Sequence, residues 1–157
     1  MSLQIRPAHD QDHQAVIALA PRLAIGVAAW RDPEAAMGAA RQWLDGSMAA
    51  AKERRGAVFV AEDGGEVVGV VSVVPQRHFT GAEDAYVGEL AVAPHAVRGG
   101  VGRRLMAAAE DWARGQGLRH LTLETGAANL TARRFYAALG YEEEGIRLTR
   151  PLNPLPD

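Results

Sequence analysis

Cysteine is absent from the 157-residue sequence, and its absence excludes several kinds of site. Without thiols the chain can form no disulfide, bind no metal through thiolates and use no cysteine nucleophile. The five histidines are scattered without the spacing of metal ligands, so we expect no metal site. The three serines lie outside any Gly-x-Ser-x-Gly motif, which argues against a serine hydrolase.

The sequence also lacks an excess of basic charge and a long apolar run. Its formal net charge is −2, whereas nucleic-acid-binding domains are usually strongly basic, so we expect no nucleic-acid partner. Apolar runs such as "GVVSVV" are far shorter than the roughly 20 residues that span a bilayer. The first residues show no signal-peptide pattern. We therefore expect a cytoplasmic protein with no membrane partner.

The pattern of apolar residues and turns predicts a mixed α/β fold. Its order is β α α β β β α β α β, with an antiparallel meander followed by strand–helix–strand crossovers. The length fits one domain, which we place at residues 1–150, with a flexible, proline-rich tail at 151–157. The segment "PQRHFTGAED" is predicted as a loop, and "YEEEGIRLTR" is predicted as the last strand.

The stretch "VRGGVGRRLM" predicts a glycine-rich loop that enters a helix at about residue 100. A helix start offers unpaired N–H groups and a partial positive charge, so it attracts phosphate. A P-loop is excluded because no Lys follows the glycines. A dinucleotide fingerprint, and with it an oxidoreductase, is disfavoured because Leu105 stands where the third small residue belongs.

Two motifs resemble the GNAT N-acetyltransferase superfamily. The strand "ELAVAP" precedes a loop in which Gly100, Val101 and Gly102 match the end of the family's phosphate-binding motif, although Val97 replaces its first Arg or Gln. The later segment "LTLETGAANLTARRFYAALGYEEEG" resembles the family's next conserved region. The resemblance covers about residues 85–145 and implies a GNAT-like fold.

The resemblance also implies acetyl-CoA as cosubstrate, with no metal. The pantetheine would run beside one strand, the pyrophosphate would lie on the glycine loop, and an asparagine would reach the pantetheine amides. The implied residues are Leu90, Ala91 and Val92 for the strand, Val97, Arg98, Gly99, Gly100, Val101, Gly102 and Arg103 for the loop, and Asn129.

The same resemblance implies Tyr136 as the general acid for the leaving thiolate and as a coenzyme contact; its alternative role is a core aromatic. The base is open between Glu124, twelve positions earlier, and Glu89, and both have an alternative role as ordinary strand charges. Strand alternation places Glu89 on the opposite face from Leu90. Since no cysteine can carry the acetyl group, we expect direct attack in a ternary complex.

The implied acceptor is a primary amine of a small molecule or peptide. We expect it beside the first two helices and the 76–84 loop, with Trp30 and Phe79 as walls. Arg22 and Arg31 would suit an acceptor that carries a carboxylate. The alternative function is a non-catalytic acyl-CoA-binding sensor on the same fold. A homodimer is a further implication of the resemblance.

Overall fold

A five-stranded sheet with helices on both faces organises the chain. The structure is a computed structural model, and it describes residues 2–153. The strands are β1 (Leu3–Pro7), β2 (Ala57–Asp63), β3 (Glu66–Arg77), β4 (Glu83–Val92) and β5 (Leu121–Leu123). The helices are α1 (His13–Ile17), α2 (Pro33–Lys52), α3 (Val101–Gly115) and α4 (Leu130–Ala138). No helix in the described part of the chain is both long and apolar enough to cross a membrane.

The strands follow one another across the sheet in sequence order. β1 to β4 pair antiparallel, and β5 pairs parallel to β4. Between β2 and β3, Gly64 and Gly65 have φ of 59° and 85°, the conformation that a two-residue hairpin turn requires at both central positions. The predicted mixed sheet, with an antiparallel meander followed by a parallel strand, is therefore confirmed.

Local sequence explains the helix starts. The dipeptide Asp32-Pro33 is typical of a helix start: at α2 the side chain of Asp32 accepts a hydrogen bond from the amide of Glu34, and Pro33 occupies the first helical position. α1 is only five residues long and is flanked by 3-10 turns at Asp10–Asp12 and Ala20–Ala24. The second turn contains Pro21, which has no N–H to continue an α-helical ladder.

The core fills both sides of the sheet. Leu44 of α2 and Leu105 and Met106 of α3 are among its largest fully buried side chains, with valines of β2 and β3 between them. α3 packs so close to β3 that a Cβ added at Gly69 would lie 2.9 Å from the Leu105 side chain. Trp43, which the helical pattern places with the core, is more than half exposed.

A β-bulge interrupts β4. Val87 lies opposite Val73 and Glu89 lies opposite Ser72, so Gly88 is an extra residue on β4. Because directly opposed residues share a face of the sheet, Glu89 and Val87 point to opposite faces although they are two positions apart. The bulge therefore reverses which face of the sheet each following side chain of β4 points to, starting at Glu89.

Two predicted elements differ in the structure. The predicted last strand, residues 141–150, is not a strand, because no neighbouring strand lies beside it to share a hydrogen-bonded ladder within the described residues. The predicted 75–84 loop is only a short turn, since β3 continues to Arg77 and β4 begins at Glu83. Positions 154–157 of the predicted tail lie outside the described residues.

Candidate active site

β4 and β5 separate along their length and leave a gap. β5 pairs with β4 only from Ala85 to Val87, whereas β4 continues to Val92. Beyond Val87 the side of β4 that faces β5 therefore has no strand partner in the described chain. A gap of this kind can accept an extended ligand through backbone hydrogen bonds.

The backbone of Leu90 and Val92 faces this gap. The amides of Glu89 and Ala93 donate toward β3, to the Ser72 hydroxyl at 3.0 Å and the Val68 carbonyl at 2.8 Å. Because backbone groups alternate along a strand, those of Leu90 and Val92 point the other way. Ala91 directs its backbone toward β3 and its side chain is buried, so it does not reach the gap.

The start of α3 lies just beyond the end of β4. Gly100 caps this helix with a φ of 75°, which glycine adopts without strain, and no other part of the fold crowds the position that a Cβ would take. The first helical hydrogen bond runs from Arg104 to the Gly100 carbonyl at 3.1 Å. The amides before Arg104 therefore have no partner inside the helix and can hold an anion.

The other loop residues divide into exposed and packed positions. Val97, Arg98, Gly99 and Arg103 are exposed, whereas Val101 is buried in the core. Neither Arg98 nor Arg103 makes a hydrogen bond or ion pair with the described residues. Their charges are thus available to an anionic ligand.

Gly102 serves packing as well. A Cβ at this position would lie 3.2 Å from the Phe135 ring of α4 and 3.8 Å from Val92. The missing side chain lets α4 rest on the first turn of α3. The helix start and α4 consequently form one packed unit beside the gap.

The segment from Arg22 to Gly26 spans the mouth of the gap. Arg22 Nε donates to the Val92 carbonyl at 2.9 Å, and Asn129 Nδ2 donates to the Ile25 carbonyl at 3.4 Å. Gly26 is in close contact with the β5–α4 loop, where a Cβ at Gly126 would lie 2.1 Å from the Gly26 carbonyl oxygen. Asn129 also caps α4, because its Oδ1 accepts from the Ala132 amide at 3.1 Å, and asparagine is a preferred residue at helix starts.

Tyr136 lies on α4 beside two other aromatic rings. Its ring centroid is 5.1 Å from that of Phe135 and 5.8 Å from that of Tyr141, both in edge-on geometry. Burial raises the pKa of Tyr136 to about 12, so the phenol is protonated at neutral pH. The Tyr141 hydroxyl donates to Glu110 at 2.7 Å, whereas the Tyr136 hydroxyl has no hydrogen-bond partner among the described residues.

Glu89 is enclosed between the sheet and α2. Its carboxylate accepts a 2.6 Å hydrogen bond from Ser47 Oγ and a 3.0 Å bond from Ser72 Oγ, and only 5% of the residue is exposed. Burial raises the pKa of Glu89, although the two hydroxyl bonds act in the opposite direction. As predicted, Glu89 lies on the face opposite to Leu90.

Glu124 differs from Glu89 because it is exposed, immediately after the end of β5. The hydroxyl of Tyr86 lies close enough to both carboxylates to respond to their charges. Burial raises its pKa, and the negative charges of Glu124 and Glu89 raise it further. The structure thus gathers three titratable groups where β4 and β5 diverge, and only Glu124 among the two candidate bases is open to solvent.

The residues expected to line the acceptor site are either exposed or engaged in other contacts. Trp30 is exposed, and Phe79 lies 94% exposed at the tip of the β3–β4 turn, against the His78 ring. The Arg22 guanidinium, expected to face an acceptor carboxylate, is bonded to Val92 instead. Residues 2–153 contain no group of three or more potential metal ligands.

Sequence reasoning missed two features of this site. Ser47 and Ser72 were considered only as nucleophiles, yet the hydroxyls of both donate hydrogen bonds to the Glu89 carboxylate. The Arg22–Val92 bond joins residues 70 positions apart, and no local pattern signals it.

Comparison with known proteins finds a protein family whose sequence model matches most of the chain. The acetyltransferase (GNAT) family matches residues 17–141. An uncharacterized N-acetyltransferase of Bacillus subtilis (strain 168), YhfO, is 38% identical over 88 residues, which are 55% of this chain. The alignment spans 59% of that relative's length.

Solved structures share the fold. A protein from Pyrococcus furiosus assigned as an acetyl transferase superposes with a TM-score of 0.78 at 18% identity, covering 96% of this chain and 100% of that one. The aminoglycoside N-acetyltransferase AAC(6')-Iy, solved in complex with CoA, gives a TM-score of 0.70 at 19% identity, covering 97% and 96% of the two chains.

Proposed function

Because this chain belongs to the GNAT acetyltransferase family, we propose that it transfers an acetyl group from acetyl-CoA to a primary amine of a small molecule or peptide. The observation that carries the proposal is the gap between β4 and β5, which leads from outward-facing strand backbone to a glycine-capped helix start. We further propose that residues 1–150 act as one acyl-CoA-dependent domain.

The residues around the gap fit the chemistry of the coenzyme. Leu90 offers its backbone amide and carbonyl to the pantetheine, and Val92 offers its amide, in the manner of an added strand; the Val92 carbonyl already accepts from Arg22. The first amides of α3, with Arg98 and Arg103, suit the pyrophosphate. CoA in the structure of AAC(6')-Iy supports this ligand class for the shared fold. Acetyl-CoA supplies the activated acetyl group.

Tyr136 is the proposed proton donor to the departing thiolate. A buried phenol with a pKa near 12 keeps its proton, and its hydroxyl is not engaged by another described residue. General acid catalysis of this kind contributes typically 10²- to 10⁴-fold to a rate. The proton that Tyr136 donates is replaced from solvent after product release.

Glu124 is the proposed base, because the amine must lose its proton to attack. Its carboxylate is exposed where β5 ends, beside the point at which the two strands diverge. Glu89 is enclosed and doubly hydrogen-bonded, so we assign it a positioning role between β4 and α2. With no cysteine in the chain, the amine attacks directly in a ternary complex.

The test is the release of free CoA from acetyl-CoA in the presence of a panel of amines, followed with a thiol reagent. The protein contributes no thiol background because it has no cysteine. Release that depends on the amine, with acetylated product seen by mass spectrometry, would establish the transferase. Calorimetric binding of acetyl-CoA without turnover across aminoglycosides, amino acids, polyamines and peptides would favour the acyl-CoA sensor instead. Absence of binding would overturn both.

A further inference from the structure

Exposed apolar side chains border the mouth of the gap between β4 and β5. Ile25 and Val27, on either side of Gly26, are 47% and 41% exposed, and Leu130 at the start of α4 is 55% exposed. Trp30, later in the same segment, is 62% exposed. We call these four side chains, Ile25, Val27, Trp30 and Leu130, the apolar patch. Contiguous apolar surface of this kind marks sites of interaction, including ligand-binding grooves.

The backbone that carries the patch is anchored beside the gap. A Cβ added at Gly26 would lie 2.4 Å from the Asn129 Cβ, and Asn129 Nδ2 donates to the Ile25 carbonyl at 3.4 Å. The first residue of α4 follows Asn129 directly, so the two halves of the patch meet at this contact. The bond from Arg22 to Val92 fastens the same segment to the end of β4. The patch is therefore a preformed surface at the entrance to the proposed reaction site.

The exposed charge where the two strands diverge is negative. Glu124 follows directly after β5 and is open to solvent. Its charge reaches the Tyr86 hydroxyl, whose pKa is raised by burial and raised further by this carboxylate. The Arg22 guanidinium, within the anchored segment, is committed to the Val92 carbonyl. An ammonium group is thus attracted to this place, whereas a carboxylate directly beside the amine would be repelled by Glu124.

From the patch and this charge together we infer that the acceptor is a primary amine on an apolar, arylalkyl body that carries no carboxylate. Its ammonium group is drawn to Glu124, and its aryl group covers the apolar patch. Burial of the aryl carbon atoms stabilises the complex through the hydrophobic effect. The inference rests on the proposed acetyl transfer and narrows its acceptor.

Other classes of amine fit this surface less well. A sugar-like amine would place hydroxyl groups against apolar side chains, and a polyamine would place a second charge there. Both arrangements cost free energy, because the polar groups lose water without gaining partners. An α-amino acid would bring its carboxylate next to Glu124.

Matched amines test the inference in the CoA-release assay on the full chain. Phenethylamine is compared with ethanolamine, which replaces the aryl group by a hydroxyl, with putrescine, which adds a second charge, and with phenylalanine, which adds a carboxylate. The last comparison also challenges Arg31, an exposed cation beside Trp30. We expect kcat/KM for phenethylamine to exceed that for each of the other amines by about 10-fold or more.

Substitutions in the patch provide a second readout. Ile25→Ser and Leu130→Ser should each lower the ratio of kcat/KM for phenethylamine to that for ethanolamine by about 5-fold, because each removes apolar surface from the aryl contact. KM for acetyl-CoA should not change. Leu148→Ser, at a position 89% exposed and outside the patch, is the matched control and should keep the ratio of the wild type. Thermal unfolding checks that all three variants fold.

The possible results separate this inference from the proposed function. CoA release that is as fast with ethanolamine, putrescine or phenylalanine as with phenethylamine would overturn the inference and leave acetyl transfer standing. A raised KM for acetyl-CoA in the patch variants, with the amine ratio unchanged, would show that the patch holds the coenzyme and would also overturn it. Absence of release with every amine would remove the proposed function, and the inference with it.

Discussion

Arg22 Nε donates a 2.9 Å hydrogen bond to the carbonyl oxygen of Val92, tying the segment before α2 to the last residue of β4. Arg22→Met keeps the aliphatic stem and removes this donor. We expect the free energy of unfolding to fall by about 1.5–3 kcal/mol, because the bond has a charged donor. Amide hydrogen exchange should also increase in residues 22–27. Unchanged stability and exchange would show that the bond does not hold the segment.

Tyr136→Phe removes only a hydroxyl. We expect turnover to fall by about 10²-fold or more while acetyl-CoA affinity remains within a few-fold, since the ring packing with Phe135 and Tyr141 is preserved. Steady-state kinetics with the amine found by the panel, and calorimetry, provide the two readouts. Tyr141→Phe is the matched control, since its hydroxyl is already committed to Glu110. Equal turnover in wild type and Tyr136→Phe would remove this residue from the mechanism.

Glu124→Gln and Glu89→Gln separate the two carboxylates. If Glu124 is the base, Glu124→Gln lowers turnover by about 10²-fold. Glu89→Gln should have a smaller effect on turnover, because this group is closed off by Ser47 and Ser72. A larger loss of turnover in Glu89→Gln than in Glu124→Gln, measured by steady-state assays, would assign the role of base to Glu89.

Glu89 should also make stability depend on pH. Burial raises its folded pKa above the value of about 4.3 of an unfolded glutamate, so the folded state holds the proton more tightly. Its effect on stability is therefore most favourable below about pH 4.3, and stability is lost as pH rises through the folded pKa. Glu89→Gln should flatten that part of the profile. Denaturant unfolding at a series of pH values measures it, and an identical slope in both proteins would contradict the prediction.

Gly102→Ala tests the packing of α4 on α3. Its Cβ would lie 3.2 Å from the Phe135 ring, so that ring must give by a few tenths of an ångström, and turnover should fall. Gly100→Ala should instead cost about 1–2 kcal/mol of stability through its left-handed backbone. Adding Phe135→Leu should restore part of the turnover of Gly102→Ala. No recovery in the double variant would mean that the two residues are not coupled.

Local signals were sufficient for most of the fold. The cap at Asp32, the two-glycine turn and the glycine at the start of α3 each predict an element that the structure contains. The family resemblance, rather than periodicity, suggested the roles of Tyr136 and Asn129. The last strand was predicted wrongly because Tyr141, Ile146 and Thr149 suit a strand, whereas a strand forms only beside a neighbour.

The site depends on relationships that sequence spacing does not encode. The exact position of the bulge comes from the pairing of β4 with β3, and the enclosure of Glu89 depends on Ser47 from a distant helix. Arg22 reaches Val92 only after the chain has folded. Exposure therefore distinguished Glu124 from Glu89, which the sequence left as equal candidates.

The extra residue at Gly88 gives β4 a phase, comparable to a reading frame. Deleting it would rotate every earlier side chain of the strand to the other face, or send Glu89 toward the apolar side occupied by Leu105. A one-residue deletion in this strand is thus far more damaging than one in the turn at residues 78–82, where length can change without exchanging inside for outside. Insertions and deletions should therefore be tolerated in the turn at residues 78–82 and not tolerated within β4.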